Sequence, residues 1–489
     1  MTVTSAQIRD NPWWKRPELV REDPDLVRLA AKSVRYEHPI PFALRADAVY
    51  TLRGPRQVGK STLLKRIIAN LLLEQQVAPR SVLYLDVEGA GIRDAGRLAD
   101  EVGAFLDWSH PVAAGERRYL LLDEVTGVPD WGTFVRLLHG RGRLAGTVMI
   151  VTGSHALDLR RGGEMAPGRR GEELGIDLDW VMRPLGFREY AQARDPDLKD
   201  ALGVLDPASP EAAHEAAAEV RLHRDRLSAM FDRYLLTGGF PHAFTAEHDT
   251  GSIPVTIYRL FRDAMIGQMR RAGHREPLFL EILAWAGDNR LGREFSWRDV
   301  AAETEIGGKD TARSYLEDAE AMFLWHIFYR TKSLERLRQA PRSPKKLYPA
   351  DPFVWHSLAS WAGGERDPWA AALDRIANPA SRGELVESVV ADHMRRISGR
   401  DCFYYRTRRG EQELDFAFLA GGREALLEVK YRRRITGSDQ NTLATHGGGI
   451  VATRDQYEWD AEKRIALIPV PLLLAGLEGA GSLVPSEGS

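Results

Sequence analysis

Gly54-Pro55-Arg56-Gln57-Val58-Gly59-Lys60-Ser61, with Thr62 after it, fits the phosphate-binding pattern G-x-x-x-x-G-K-[ST] without departure. The glycines allow backbone N–H groups to close around a phosphate at the start of a helix. In such a loop Lys60 reaches the β- and γ-phosphates of ATP and Ser61 holds Mg²⁺. A second pair, Asp123-Glu124, ends the apolar run Tyr119-Leu-Leu-Leu. There Asp123 supports the Mg²⁺ and Glu124 polarises a water as general base. A third run, Thr152-Gly153-Ser154, is expected to place the Ser154 hydroxyl beside the γ-phosphate, although Ser154 would equally serve as a turn or helix cap. Of the arginines that could supply transition-state charge, Arg169 in a glycine-rich loop is the first candidate, ahead of Arg141, Arg143 and Arg170.

A different chemistry gathers toward the C-terminus. Two strands, 413–419 and 423–430, flank Gly421-Gly422, a two-residue hairpin signal. Counting back from that turn sets Asp415 opposite Glu428, a like-charge pair that repels unless compensated. A divalent cation would compensate, and carboxylate oxygens suit Mg²⁺. Lys430 points from the same face as Glu428 and could steady charge on a phosphate, while Glu387 on a preceding amphipathic helix could complete the set. Alternatively the carboxylates pair with Arg406, Arg408 or Arg432 in a structural role. Residues 395–434 hold eleven Lys/Arg and six Asp/Glu, a surplus that suits a phosphate backbone.

The elements that position these groups follow from pattern. Apolar strands at 49–52, 81–87, 119–124 and 147–152 alternate with helices, which predicts a parallel sheet covered on both faces. Ligands bind at the carboxyl ends of such strands, where all three nucleotide motifs fall. Residues 191–275 are helical, with one long helix expected over 211–235. Residues 276–350 have the order of a winged helix: helices at 278–286, after Ser296, and at 309–323, then strands 324–329 and 346–348. Its third helix carries Glu317, Asp318 and Glu320 against Lys309 and Arg313, which favours a structural or protein-contact role over DNA reading. Trp13 and Trp14 are expected to pack onto the following domain. The expected divisions are 1–45, 46–190 (P-loop ATPase), 191–275 (helical lid or adaptor), 276–350 (winged helix) and 351–489 (nuclease-like).

Composition narrows the class. The 489 residues carry 28% charged and 44% hydrophobic residues and a net charge of −2, so no global attraction to nucleic acid exists. A single cysteine, Cys402, excludes a disulfide framework and suits a reducing cytoplasm. The N-terminus lacks the apolar stretch of a signal peptide, and the longest apolar run, 466–477, is too short to span a bilayer. The expectation is therefore a cytoplasmic protein without a membrane partner.

Together the motifs resemble a prokaryotic family of AAA-type ATPases that join a P-loop domain, a winged helix and a PD-(D/E)xK nuclease-like domain. The resemblance covers about 45–455 and rests on 54–62, 120–124, 152–154, Pro184-Leu-Gly-Phe-Arg-Glu189, 234–241, 346–352 and Glu428-Val-Lys430. It implies ATP binding by 54–62, Asp123 and Glu124 as the Walker B pair, and a role for Arg169 after Gly168. The N-terminal segment and the alanine-rich stretch at 211–219 depart from the pattern. The fold class expected is α/β: a P-loop NTPase followed by helical and winged-helix parts and a restriction-endonuclease-like domain. ATP hydrolysis would switch a C-terminal domain that engages DNA as a Mg²⁺-dependent nuclease, or that is a catalytically inactive protein- or DNA-binding module. The sequence leaves the oligomeric state open.

Overall fold

The computed structural model describes residues 3–44, 47–109, 117–155, 177–287, 290–407, 412–477 and 481–485. The chain forms two compact units, 1–183 with 483–489, and 184–482.

Unit 1 is built on strands β1 (Val49–Arg53), β2 (Val82–Asp86), β3 (Arg118–Asp123), β4 (Thr147–Gly153) and β5 (Asp179–Met182). They lie in the order β5-β1-β4-β3-β2 with every pairing parallel. The short strand Leu483–Pro485 adds to β5 antiparallel. Strands buried on both faces explain their unbroken apolar runs. Helices Lys60–Ala69, Ala95–Ser109 and Gly132–Gly140 supply Leu63, Leu64, Phe105 and Phe134 to the same core. Because β4 lies between β1 and β3, its end at Gly153 sits between the phosphate loop and the Asp123-Glu124 corner.

The residues before the sheet are part of unit 1. Helix Ser5–Asp10 has a capping box from Thr4 and Gln7, and Trp13 and Trp14 are buried in the core. Both indole N–H groups donate to the Val82 carbonyl, at 3.2 and 2.8 Å. β2 is the edge of the sheet, so these side chains serve where a neighbouring strand would otherwise pair.

Unit 2 opens with helices Phe187–Arg194, Pro210–Val220, Arg224–Thr237, Pro241–Thr250 and Val255–Arg271. The single long helix expected over 211–235 is in fact two, separated by the 3₁₀ turn Arg221–His223. Helices Glu276–Gly287, Trp297–Glu303 and Lys309–Ala321 follow, the second capped by Ser296. Then come β6 (Trp325–Thr331) and β7 (Lys345–Pro349), paired antiparallel. These do not form a free-standing ribbon. Arg330 and Thr331 of β6 run on to pair, in parallel, with β8 (Cys402–Arg406). The expected division at residue 350 therefore falls inside one sheet of eight strands. The sheet continues through β9 (Glu413–Ala420), β10 (Arg423–Lys430), β11 (Gly449–Thr453), β12 (Glu458–Asp460) and β13 (Ile465–Pro469), ordered β12-β13-β11-β10-β9-β8-β6-β7. β9 and β10 form the expected hairpin: Ala420 pairs with Arg423, and Gly421 and Gly422 both have positive φ, +55° and +77°. That is the twist a two-residue turn between right-twisted strands requires.

Three stretches that the resemblance singled out, near 184–189, 234–241 and 346–352, meet in unit 2. Leu185 N–H donates to the Gly239 carbonyl (3.0 Å) and the Tyr234 hydroxyl to the Leu185 carbonyl (2.9 Å). Asp351 caps helix Pro352–Ala362 and accepts the Gly239 N–H at 2.8 Å. Buried Arg396, itself paired with Asp392, donates to the Pro184 carbonyl. This convergence is a packing node of buried polar groups bonded across distant stretches of the chain, in which Arg396 Nη2 alone of the Arg396 nitrogens has no hydrogen-bond partner.

Candidate functional site

In unit 1 the phosphate loop leaves β1 with left-handed residues at Gln57 (φ +64°) and Gly59 (φ +111°). Such alternation turns consecutive N–H groups to one side, forming an anion nest. Gly54 has no room for a side chain: a Cβ there would lie 2.0 Å from the Met182 carbonyl oxygen. Lys60 opens the helix, is buried, and its ammonium donates to the carbonyls of Gly54 (2.8 Å) and Pro55 (2.9 Å). Burial pulls its pKa down against the opposing charges of Glu124 and Asp123. Ser61 and Thr62 follow in the first turn, and Arg56 pairs with Glu88 at 2.7 Å. The donor set fits Mg²⁺·ATP: loop amides and Lys60 for the phosphates, and the hard oxygens of Ser61 and Asp123 for the ion.

The Asp123-Glu124 corner is held by β4. The Thr152 hydroxyl donates to Asp123 Oδ1 and accepts the Glu124 N–H at 3.0 Å, so one side chain ties both acids. Glu124 sits in the left-handed region (φ +51°), a conformation that costs a non-glycine residue energy and persists only where its surroundings enforce it. Its Oε1 accepts from the Ser154 hydroxyl (2.7 Å), the Ser154 N–H (3.1 Å) and the Thr126 hydroxyl (2.7 Å). Burial would raise its pKa, but the Lys60 charge and these donors outweigh burial and hold it below the usual carboxylate range. The structure thus brings Lys60, Asp123, Glu124 and Ser154 together, with Ser154 bonded to Glu124. Thr152, Thr126 and Tyr84, whose hydroxyl donates to Asp123 Oδ2 at 3.0 Å, had no assigned role from sequence. Strand alternation places Tyr84 on the face of Asp86, whose register partner is Asp123, and could have found it. Arg169 and Arg170 lie outside the described residues; Arg141 and Arg143 pair with Asp100 and Asp107.

In unit 2, Asp415, Glu428 and Lys430 come together on β9 and β10, with Glu387 nearby on helix Pro379–Ser398. Asp415 Oδ2 accepts the Val429 N–H (2.9 Å), and Glu428 Oε2 accepts the Asp415 N–H (3.1 Å). Each carboxylate is thereby tied to the opposite strand's backbone. The positive charge comes from lysines. Lys430 pairs with Glu428, and Lys346, from β7, reaches Glu413 at 2.8 Å and Asp415 at 3.7 Å. Lys346 is buried, its side chain 3% exposed. The expected partner Arg406 instead bonds Glu294 (2.7 Å) and reaches Glu413, and Arg432 pairs with Asp439; Arg408 lies outside the described residues. The Tyr348 hydroxyl, two residues from Lys346, donates to Glu387 at 2.6 Å. Burial and the Asp415 charge raise Glu387 to about 7 and Glu428 to about 8. Among the described residues no group of three or more His, Cys, Asp or Glu is arranged to hold a metal ion.

Part of the basic surplus is paired with acids of unit 2. Arg395 pairs with Glu320, Arg396 with Asp392 and Arg423 with Asp206. On helix Lys309–Ala321, Glu317 pairs with Arg313 and Asp318 with His274. No helix among the described residues is long and apolar enough to cross a membrane.

Comparison with known proteins bears on the domain that carries the first site. Residues 46–191 match the model of an AAA domain. Residues 228–365 and 382–473 match two domains of unknown function, DUF8612 and DUF4143. Unit 1 is accordingly built on an AAA-type P-loop ATPase domain, and the fold class is α/β. Among solved structures, a Walker-type ATPase of Pyrococcus abyssi is similar at 15% identity and TM-score 0.37, over 64% of this chain and 91% of that one. The ORC2 protein of Aeropyrum pernix, solved in ADPNP–ADP complexes, is similar at 11% identity and TM-score 0.31, over 77% and 96%. No curated protein matches the chain.

Proposed function

We propose that the chain is an ATP-hydrolysing switch whose unit 2 binds a partner without cleaving it. The observation that carries the first half is Glu124, half-buried, held ionised beside Lys60 and fixed on one oxygen by Ser154 and Thr126. Bound Mg²⁺·ATP supplies the electrophilic phosphorus and the charge that polarises it. The loop amides and Lys60 bind the phosphates, Ser61 and Asp123 hold the ion, and Glu124 takes the proton of the attacking water. Lys60→Ala is expected to abolish turnover, and Glu124→Gln to leave ATP bound and slowly hydrolysed. Turnover that survives Lys60→Ala refutes the site.

Supporting the second half, Lys346 reaches Asp415 and Lys430 pairs with Glu428, so the chain's own ammonium groups balance part of the charge on the hairpin carboxylates. The second reading, a Mg²⁺-dependent nuclease, is favoured by Glu387, Asp415, Glu428 and Lys430 standing together. Plasmid and linear DNA with Mg²⁺ or Mn²⁺ decide between them. No cleavage supports the binding module; cleavage lost in Asp415→Ala establishes the nuclease. Nucleic acid as partner requires binding that weakens with salt.

A further inference from the structure

Building on the ATPase reading, we infer that Tyr84 is a positioning residue for Asp123, and that the segment before the sheet, through Asn11, holds it in place. The two oxygens of Asp123 have different custodians. Oδ1 is held by Thr152 from β4, inside the sheet, and Oδ2 by the Tyr84 hydroxyl from β2, the sheet's edge. An edge strand has one side free of ladder bonds, and here Asn11 takes that side. Its Oδ1 accepts the Tyr84 N–H at 2.7 Å, and its Nδ2 donates to the Tyr84 carbonyl at 3.0 Å. A single buried side-chain amide thus stands in for a paired strand at the β2 residue that reaches Asp123.

The tyrosine ring is gripped from the same direction. The Lys65 ammonium lies 3.5 Å from its centroid, and Lys65 is itself tied to Asp23 of the preceding segment at 3.0 Å. Lys65 belongs to the helix that begins with Lys60, so the segment holds both the phosphate-loop helix and Tyr84. Packing alone does not fix the ring, because Tyr84 and Lys65 border a cavity of about 810 Å³ that Asp10, Glu22 and Asp86 also line. Its place is set by these polar contacts. Freed of Tyr84, Asp123 keeps only the Thr152 bond and can turn about its terminal torsion, which misdirects the oxygen meant for the ion's shell.

The test uses the full chain and three substitutions. Tyr84→Phe removes the hydroxyl and keeps the ring. Asn11→Ala removes the clamp. Trp14→Phe removes the other kind of edge contact, the indole N–H to Val82, without touching Tyr84. Mn²⁺ binding in the presence of a non-hydrolysable ATP analogue is read by electron paramagnetic resonance, alongside ATP turnover and fluorescent-nucleotide affinity without divalent ion. Tyr84→Phe is expected to weaken Mn²⁺ binding roughly 10-fold and lower turnover similarly, as loss of an outer-shell partner does, with metal-free nucleotide affinity unchanged. Asn11→Ala should act in the same direction to a smaller degree and speed amide exchange at Tyr84. Trp14→Phe should lower thermal stability and leave Mn²⁺ binding as it was. Native Mn²⁺ binding in Tyr84→Phe, or an equal effect in Trp14→Phe, overturns the inference. If Lys60→Ala retains turnover, the ATPase reading falls first and takes this one with it; if Lys60→Ala is inactive, a native Tyr84→Phe sinks the inference alone.

Discussion

Lys346→Met keeps an unbranched side chain of similar length and removes only the charge. In the native protein Lys346 faces Glu413 and Asp415 from a buried position, with its pKa raised because the charges of Asp415, Glu387 and Glu413 overcome burial. Without it, Glu387, Asp415 and Glu428 are left with Lys430, and Glu413 with Lys430 and Arg406. Removing one partner of a buried pair costs roughly 3–5 kcal/mol. Glu413 is 38% exposed and therefore partly screened, so the lower end, about 3 kcal/mol, is expected at pH 8.5.

The cost must depend on pH, with a definite sign. Glu387 and Glu428 have folded pKa values of about 7 and about 8, above their ordinary 4.5. The stability that these acids contribute is fully present below pH ~4.5 and is lost as pH rises through 7 to 8. At pH 5 both carry protons and fewer charges in the cluster need a cation, so the deficit should shrink to about 1 kcal/mol. Urea unfolding of native and variant chains at the two pH values, resolved by hydrogen exchange on the β9–β10 peptides, measures it. An equal deficit at both pH values, or one under about 0.5 kcal/mol at pH 8.5, refutes the claim that Lys346 balances this cluster. Millimolar Mg²⁺ that restores the variant at pH 8.5 would show that the carboxylates accept a divalent ion once the lysine is gone.

Two further outcomes follow from the geometry. Gly238→Ala puts a Cβ about 2.0 Å from Asp351 Oδ1, at φ +53° and ψ −156°, a region essentially closed to other residues; a loss of at least about 3 kcal/mol is expected in thermal or urea unfolding, against about 1 kcal/mol for Gly251→Ala, where φ is +76° but the space is open. Thr152→Val keeps the shape of β4 while cutting its bonds to Asp123 and Glu124; steady-state kinetics should show turnover down roughly 10-fold with ATP affinity nearly unchanged, and a proportional loss of affinity would contradict its role in setting the two acids.

Much of this was legible because it is local. The phosphate loop is contiguous, and β2, β3 and β4 carry unbroken apolar runs because both faces are covered. The hairpin followed from two glycines: a two-residue turn fixes the register, which runs from Ala420–Arg423 to Phe416–Leu427 and brings Asp415 and Glu428 next to each other beyond it. What stayed hidden depends on distant chain. Nothing in 211–235 breaks a helix by composition, since no glycine or proline stands there; the turn at Arg221–His223 goes with a contact to a distant stretch of unit 2, where Arg221 lies over the Tyr457 ring at 4.8 Å. Tyr84 sat unremarked in an apolar strand because its partner Asp123 belongs to the next strand.

Lys346 shows the same limit at the second site. The repulsion between Asp415 and Glu428 was deduced from the hairpin alone, and a hairpin's own residues offered Lys430 and little else, which made an ion the natural remedy. The sheet, however, continues past β9 through β8 and β6 to β7, and there it brings in a lysine from 69 positions earlier in the chain than Asp415. Cross-strand logic fixes which charges oppose each other within one turn; it is silent on which charges the other strands deliver to the same face. A cluster of acids read from sequence is therefore an argument for a cation, and the topology adds the chain's own ammonium groups to those that can answer it.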